Sequence, residues 1–352
     1  MNERELLEVV QMKTLTDEDG TKFVLSMPLV LSITSNQKAW FTNKEQLAVK
    51  CPDLSNHILA IIDKPEIFEY RKEEICARVF GTTTDKHKKI QKIKNDKKDF
   101  LISGASMRFL RNVEFDDGMD QYRLSPAQIS GLIKEKNGDG AIIYQINQPL
   151  NRGHLLLFED AKQQMRDKGF RNPILILHPC GGVDAEENVS LEYRIRQYLA
   201  FIEDSGLDAI LALWPSPYYR AGPVEALWQV SSRVNCGATH FLLDENQCGL
   251  LHPSNDKIEL YNPKHSEMLV TMLKDETHMD IILAKPIAFQ KQRAQMEFYN
   301  PEKPRKDYEW LNEPRTLRNL ATDHFNELSI MNQDCWDILK EYYKTQSSSS
   351  RY

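Results

Sequence analysis

Six cysteines and a cluster of lysines are the side chains of this 352-residue sequence whose type suits them to chemistry. A zinc ribbon or a redox dithiol needs thiols two or so residues apart, so that both sulfurs reach one centre. Cys51, Cys76, Cys180, Cys236, Cys248 and Cys335 include no such pair. They read as buried, reduced thiols in a reducing compartment, and no metal site is expected. Lys86, Lys88, Lys89, Lys92, Lys94, Lys97 and Lys98 could face phosphates, but Asp85, Asp96 and Asp99 dilute their charge. Residues 85–98 therefore read as a solvated loop or hairpin edge shielded by lysines. Neither G-x-G-x-x-G nor a Walker A run occurs, so the common glycine-rich phosphate cradles are missing.

The elements that must position any site change character along the chain. Up to about residue 115, short β-branched runs such as Lys22–Leu25 and Leu29–Ile33 stand between polar turns, which predicts a β-rich barrel or meander. From Ser125-Pro126, an N-cap followed by proline at N1, strands and amphipathic helices alternate. Strands are expected at 141–146, 174–178, 208–213, 239–243 and 281–284. Helices are expected at 154–168, 190–203, after Pro223 and near 265–274. That alternation implies right-handed crossovers onto a parallel, Rossmann-like sheet. The domains so predicted are 1–115, 120–290, a small C-terminal helical part at 291–345 and a mobile tail at 346–352.

Composition narrows the function class. A hydrophobic fraction of 41% with 27% charged residues is ordinary for a globular chain and excludes wholesale disorder. Forty-five basic against fifty-one acidic side chains, a formal charge of −6, argue against a dedicated nucleic-acid binder. No run of eighteen apolar residues exists, so no membrane span is expected. The polar, acidic start Met1-Asn2-Glu3-Arg4-Glu5 is unlike a presequence, and a cytoplasmic location is the expectation.

Several segments together carry a resemblance. In order they are Phe80-Gly81-Thr82-Thr83, Asp117–Pro126, Leu177-His178-Pro179 with Gly181-Gly182, Ala221–Ala226 and Gly237–Phe241. With them the chain resembles ATP sulfurylase (sulfate adenylyltransferase), most closely the sulfurylase part of animal-type bifunctional PAPS synthetase. The resemblance implies a PUA-like N-terminal domain, truncated at its start, before a Rossmann-like catalytic-type domain. It also implies a reaction in which sulfate attacks the α-phosphorus of ATP, giving adenosine 5′-phosphosulfate and pyrophosphate. Such a step needs positioning and charge neutralisation more than covalent chemistry.

The family performs it with Gln-x-Arg-Asn-Pro-x-His-x-x-His and a later Gly-Arg-Asp segment. Here Gln145, Pro149 and His154 match, whereas Asn147 replaces the arginine, Gln148 the asparagine and Asn151 the first histidine. Asp244, Glu245 and Asn246 replace Gly-Arg-Asp, and Gln229 stands where many members carry a histidine. The family's Ser-Gly-Thr loop is unmatched near Trp310–Pro314. Nucleotide- or sulfate-binding candidates are Gln145, Arg152, His154, Ala221 and Gly222. Arg152 is the nearby cation that could substitute, and the Ala221-Gly222-Pro223 turn would offer backbone N–H groups at a helix start. Two carboxylates at 244–245 would repel a polyphosphate.

Three readings stay open: an impaired homologue serving as a structural, assembly or regulatory subunit, an active sulfurylase with a remodelled site, or a binder of another nucleotide or anion. ATP and Mg2+ are cofactors only under the second. Other protein subunits, or copies of the chain in a homo-oligomer, are the expected partners.

Overall fold

A computed structural model describes residues 1–51, 57–111, 113–181, 189–311, 314–322 and 328–349. In chain order its first part comprises α1 (Glu3–Met12), β1 (Thr14–Thr16), β2 (Lys22–Val24), β3 (Leu31–Ile33), α2 (Ser35–Phe41), β4 (Gln46–Lys50), β5 (Ile58–Glu69), α3 (Lys72–Phe80), α4 (Lys88–Asn95) and β6 (Phe100–Phe109). Then follow α5 (Pro126–Glu135), β7 (Gly140–Tyr144), α6 (Arg152–Asp167), β8 (Pro173–Leu177), α7 (Leu191–Ser205), β9 (Ala209–Leu211), α8 (Pro223–Ser231) and β10 (His240–Leu243). The remainder is β11 (Leu251–His252), β12 (Asn255–Glu259), α9 (His265–Met272), α10 (Lys274–Thr277), β13 (Asp280–Leu283), β14 (Ile287–Gln290), β15 (Gln295–Phe298), β16 (Tyr308–Glu309), α11 (Pro314–Thr322) and α12 (Gln333–Ser349).

The chain divides into two compact units. The first holds Met1–Asp120, Tyr219–Ser232 and Asn246–His278; the second holds Gln121–Tyr218, Arg233–Glu245 and the chain from Met279 onward.

In the first unit β3, β6, β5 and β4 form an antiparallel sheet in that order. The β-rich expectation holds for this sheet, but the unit also holds helices α1 to α4, which a barrel or meander does not include. Asn2 opens α1 with a reciprocal cap: its side chain accepts from the Glu5 amide at 2.9 Å, and the Glu5 carboxylate accepts from the Asn2 amide at 2.8 Å. The lysine-rich stretch expected as a loop or hairpin edge is largely helix α4. Ile90, fully buried, and Ile93 lie three residues apart and supply its apolar face. Its lysines meet acids of the same unit, with Lys94 2.8 Å from Asp85 and 3.6 Å from Glu73.

In the second unit five parallel strands lie in the order β13-β10-β7-β8-β9, as the strand–helix alternation predicts. Every residue of β7 (Gly-Ala-Ile-Ile-Tyr) and β8 (Pro-Ile-Leu-Ile-Leu) is buried, which is why these runs are continuously apolar rather than alternating. Helix α5 starts as its sequence requires: Ser125 caps, Pro126 follows, and Gln128 returns a bond to the Ser125 amide. Helix α12 packs on α7 and buries Trp336 and Leu339 completely. It runs through Ser349, and the rest of the expected tail, 350–352, lies outside the described residues.

Candidate functional site at the carboxyl edge of the parallel sheet

The sheet order fixes where a ligand crevice should lie. From β7 the chain moves to β8 and β9 on one side, then returns to β10 and β13 on the other. The order therefore reverses between β7 and β10, and open α/β sheets bind ligands at the carboxyl ends of strands beside such a reversal. The segments leaving these two strands are 145–151 and the run beginning at Asp244, both singled out in the sequence.

Gln145 follows β7 directly and is buried. Its amide nitrogen donates to Cys180 Sγ at 2.8 Å, and its carbonyl oxygen accepts from the Arg233 guanidinium. Arg233 is fully buried and lies 4.1 Å from the Trp214 ring centroid and 5.6 Å from that of Phe241. Asn147 accepts from the Cys180 amide at 3.3 Å, and Arg194 donates to the Cys180 carbonyl at 3.1 Å. The Gln148 carbonyl accepts from Tyr198 Oη at 2.9 Å.

Asn151 and His154 start α6 together. The Asn151 side chain accepts from the Gly153 amide at 2.9 Å, and His154 Nδ1 accepts from the Asn151 amide at 3.1 Å. A Cβ on Gly153 would lie 2.7 Å from the Met296 methyl and 2.8 Å from that of Ile287, so a larger residue requires those side-chain ends to shift. Burial outweighs the backbone bond and lowers the His154 pKa to about 4. Burial therefore favours the neutral imidazole at neutral pH. His178, after β8, is also buried, and burial with the nearby Arg233 charge holds its pKa well below the usual value. Neither imidazole offers a positive charge to an anion.

Arg152 does not face this group. Its Nε donates to the Leu328 carbonyl at 3.2 Å, and its Nη2 lies 3.6 Å from the Asp204 carboxylate. The expectation that it could replace the missing cation would require it to leave these two partners. Asp244, directly after β10, accepts from Tyr144 Oη at 3.1 and 3.2 Å. Burial raises its pKa to about 7, against the lowering effect of that hydrogen bond. Burial thus disfavours the full charge expected on Asp244, while Glu245 is exposed.

Ala221, Gly222 and Asn246 belong to the first unit. Gly222 has φ of +56°, and a Cβ on it would lie 2.6 Å from the Tyr261 ring, so glycine is required in the turn before α8. The amides proposed for an external anion are engaged internally. Ala221 donates to the Glu225 carboxylate at 3.0 Å, as does Tyr219 at 2.8 Å, while the Gly222 amide donates to the Cys248 carbonyl at 3.1 Å. An incoming sulfate would have to displace Glu225, which is fully buried and whose pKa burial raises to about 7. Asn246, with φ of +57°, opens a turn in which the Gly249 amide returns to its carbonyl at 2.9 Å. Gln229 accepts from Gln247 at 2.6 Å.

Sequence reasoning missed Arg233, Tyr144 and Glu225. The one available signal for Arg233 was a lone arginine inside the small and apolar run 230–243. Gly182 and residues 312–313, named in the sequence, lie outside the described residues. Among the described residues no group of three or more His, Cys, Asp or Glu side chains converges as a metal site needs, and no helix is long and apolar enough to cross a membrane.

Comparison with known proteins agrees with this architecture. The ATP-sulfurylase family model matches residues 120–342, and a PUA-like domain model matches residues 1–111. ATP sulfurylase 2 of Arabidopsis thaliana is 28% identical over 352 residues, covering 99% of this chain and 73% of that protein. ATP sulfurylase 4, chloroplastic, from the same plant is 29% identical over 354 residues, covering 99% and 74%. Among solved structures, the hexameric APS kinase from Thiobacillus denitrificans superposes with a TM-score of 0.67 at 16% identity. That match covers 97% of this chain, which spans 57% of the length of the other, and it speaks to fold alone. With an antiparallel N-terminal sheet under the PUA-like match and a parallel sheet under the sulfurylase match, the chain belongs to the ATP-sulfurylase family.

Proposed function

We propose that this chain is a catalytically impaired ATP-sulfurylase homologue, retained as a structural, assembly or regulatory subunit. One observation carries the reading: at the positions where the family's arginine and first histidine should face anions, neutral amides stand and serve the fold. Asn147 holds the Cys180 amide and Asn151 caps α6. Loss of one oxyanion donor typically costs about 10²–10³ in rate, and here several are lost at one centre. The test is sulfate-dependent pyrophosphate release from ATP with Mg2+, beside nucleotide-binding calorimetry. No release above background and ATP affinity weaker than micromolar are expected. Turnover of roughly 1 s⁻¹ or more would overturn the reading.

In this role the chain acts within a homo-oligomer or beside other protein subunits, in the cytoplasm. Light scattering on the isolated chain and on its co-purified complexes tests that part.

A second reading, an active sulfate adenylyltransferase with a remodelled site, is favoured by Arg233. It is a buried cation bonded to Gln145 at the carboxyl edge, and the relatives are named as sulfurylases. Mg2+ would then arrive on the polyphosphate of ATP. Under this reading Arg233→Met abolishes a measurable turnover; under the first there is none to abolish.

A further inference from the structure

The first unit contains a cavity that the sulfurylase reading does not use. Its volume is about 560 Å³, inside the range of roughly 300–1,000 Å³ usual for small-molecule sites. Met27, Leu31, Ile62, Val79, Phe80 and Ile102 supply much of its wall. The sheet residues among them come from β3, β5 and β6, and the helical ones from α3.

Three observations give the cavity a chemical character. Ser103 lines it at 6% exposure, and its hydroxyl has no hydrogen-bond partner among the described residues. A buried hydroxyl left unpaired costs on the order of 1–3 kcal/mol, so a partner arriving with a ligand would recover that loss. Next, among the described residues no lysine, arginine or histidine side chain lines the space, and the one acidic residue, Glu5, already accepts from the Asn2 amide. Finally, Tyr70 presents a phenol whose pKa burial raises to about 12, so it stays neutral. An anionic ligand would lose part of its hydration there and meet no basic side chain in return.

We propose that this cavity is a binding site for a neutral, mainly apolar molecule of two or three rings carrying one hydrogen-bonding group directed at Ser103. Its walls give sulfate and nucleotides no basic side chain to pair with, so the ligand differs in kind from those of a sulfurylase centre.

The test uses two fluorescent probes with one ring framework on the full-length chain. N-phenyl-1-naphthylamine is neutral and carries a single N–H; 8-anilinonaphthalene-1-sulfonate adds a sulfonate. The neutral probe should bind saturably at one site per chain, and the sulfonate at least about ten-fold more weakly. Ser103→Ala should weaken the neutral probe by about five-fold. Leu29 lines the cavity yet is 55% exposed, so Leu29→Trp fills the mouth without loading the core and should weaken binding at least about ten-fold. Met107→Trp, at another lining position that is 47% exposed, serves if Leu29→Trp does not fold. Unsaturable binding, equal affinity for both probes, or full affinity in the folded tryptophan variant would each overturn the proposal.

Discussion

Asn151 and His154 satisfy one another's helix start: the asparagine side chain takes the Gly153 amide while the histidine ring takes the Asn151 amide. Both residues are buried, with exposures of 3% and 1%. A neutral histidine whose Nδ1 accepts in this way carries its proton on Nε2, and the Gln148 side-chain amide 3.5 Å away must then turn its oxygen to accept it. The pair is thus occupied in starting α6, and that occupation has measurable consequences.

Asn151→Ala should destabilise the chain by about 1 kcal/mol, the usual value of an N-cap, or somewhat more because the freed Gly153 amide is buried. Chemical denaturation would read this as a lower midpoint with unchanged slope. A midpoint equal to that of the unaltered chain would mean the asparagine contributes nothing to the helix start.

Tyr144→Phe removes a hydrogen bond that favours the charged form of Asp244, whose pKa is raised to about 7. The Asp244 pKa should therefore climb further. Carbon-detected NMR titration of the carboxyl group would follow it, and a value unchanged by the substitution would remove the hydroxyl from the account.

Glu225 makes stability depend on pH in a definite direction. Its folded pKa of about 7 exceeds the ordinary 4.5, so the fold keeps a proton that the unfolded chain has released. Its contribution is present below pH 4.5 and is lost as pH rises to about 7, levelling off above that. The full effect is on the order of 3 kcal/mol. His154, lowered from 6.5 to about 4, has the opposite sign and costs stability as pH falls through that interval. Glu225→Gln should remove the loss at rising pH, leaving a constant offset from the altered amide partners. Because His154 pulls the other way, the test is the difference between the proteins: from pH 4.5 to pH 8 the variant's denaturant midpoint should rise relative to that of the unaltered chain, and equal dependence in both would refute the assignment.

Catalysis should return only if both substituted segments are rebuilt. Asn147→Arg, Gln148→Asn and Asn151→His restore donors after β7, at the expense of the α6 cap. Asp244→Gly, Glu245→Arg and Asn246→Asp restore the segment after β10. In-line attack needs both reactants placed at once, so either half alone should stay at background while the six-fold variant releases pyrophosphate in response to sulfate. Activity in one half-repaired protein would show that the other segment is dispensable.

The parallel sheet was readable because its strands are short apolar runs between long amphipathic helices, and Ser125, Pro126 and Gly237 mark element boundaries. Helix α4 was not, since eight residues with two isoleucines leave too short a period among the lysines. The identity of the substituted positions was visible, but not what they bind. That Asn147 reaches the amide of Cys180, or Glu225 the amide of Ala221, depends on tertiary approach or on a turn with positive φ. Arg152 shows the same limit: adjacency in sequence placed it beside Asn151, and helical geometry turned it towards Asp204.

The division into units is discontinuous, the chain passing from one to the other after residues 120, 218, 232, 245 and 278. A ribosome delivers the polypeptide in one direction, so the first unit cannot be completed until α8, α9 and α10 have emerged. By then most of the parallel sheet has already been synthesised. The two halves must mature in overlapping time, and an early-terminated translation product ending near residue 120 would present an antiparallel sheet lacking part of its own unit to the cell's quality control.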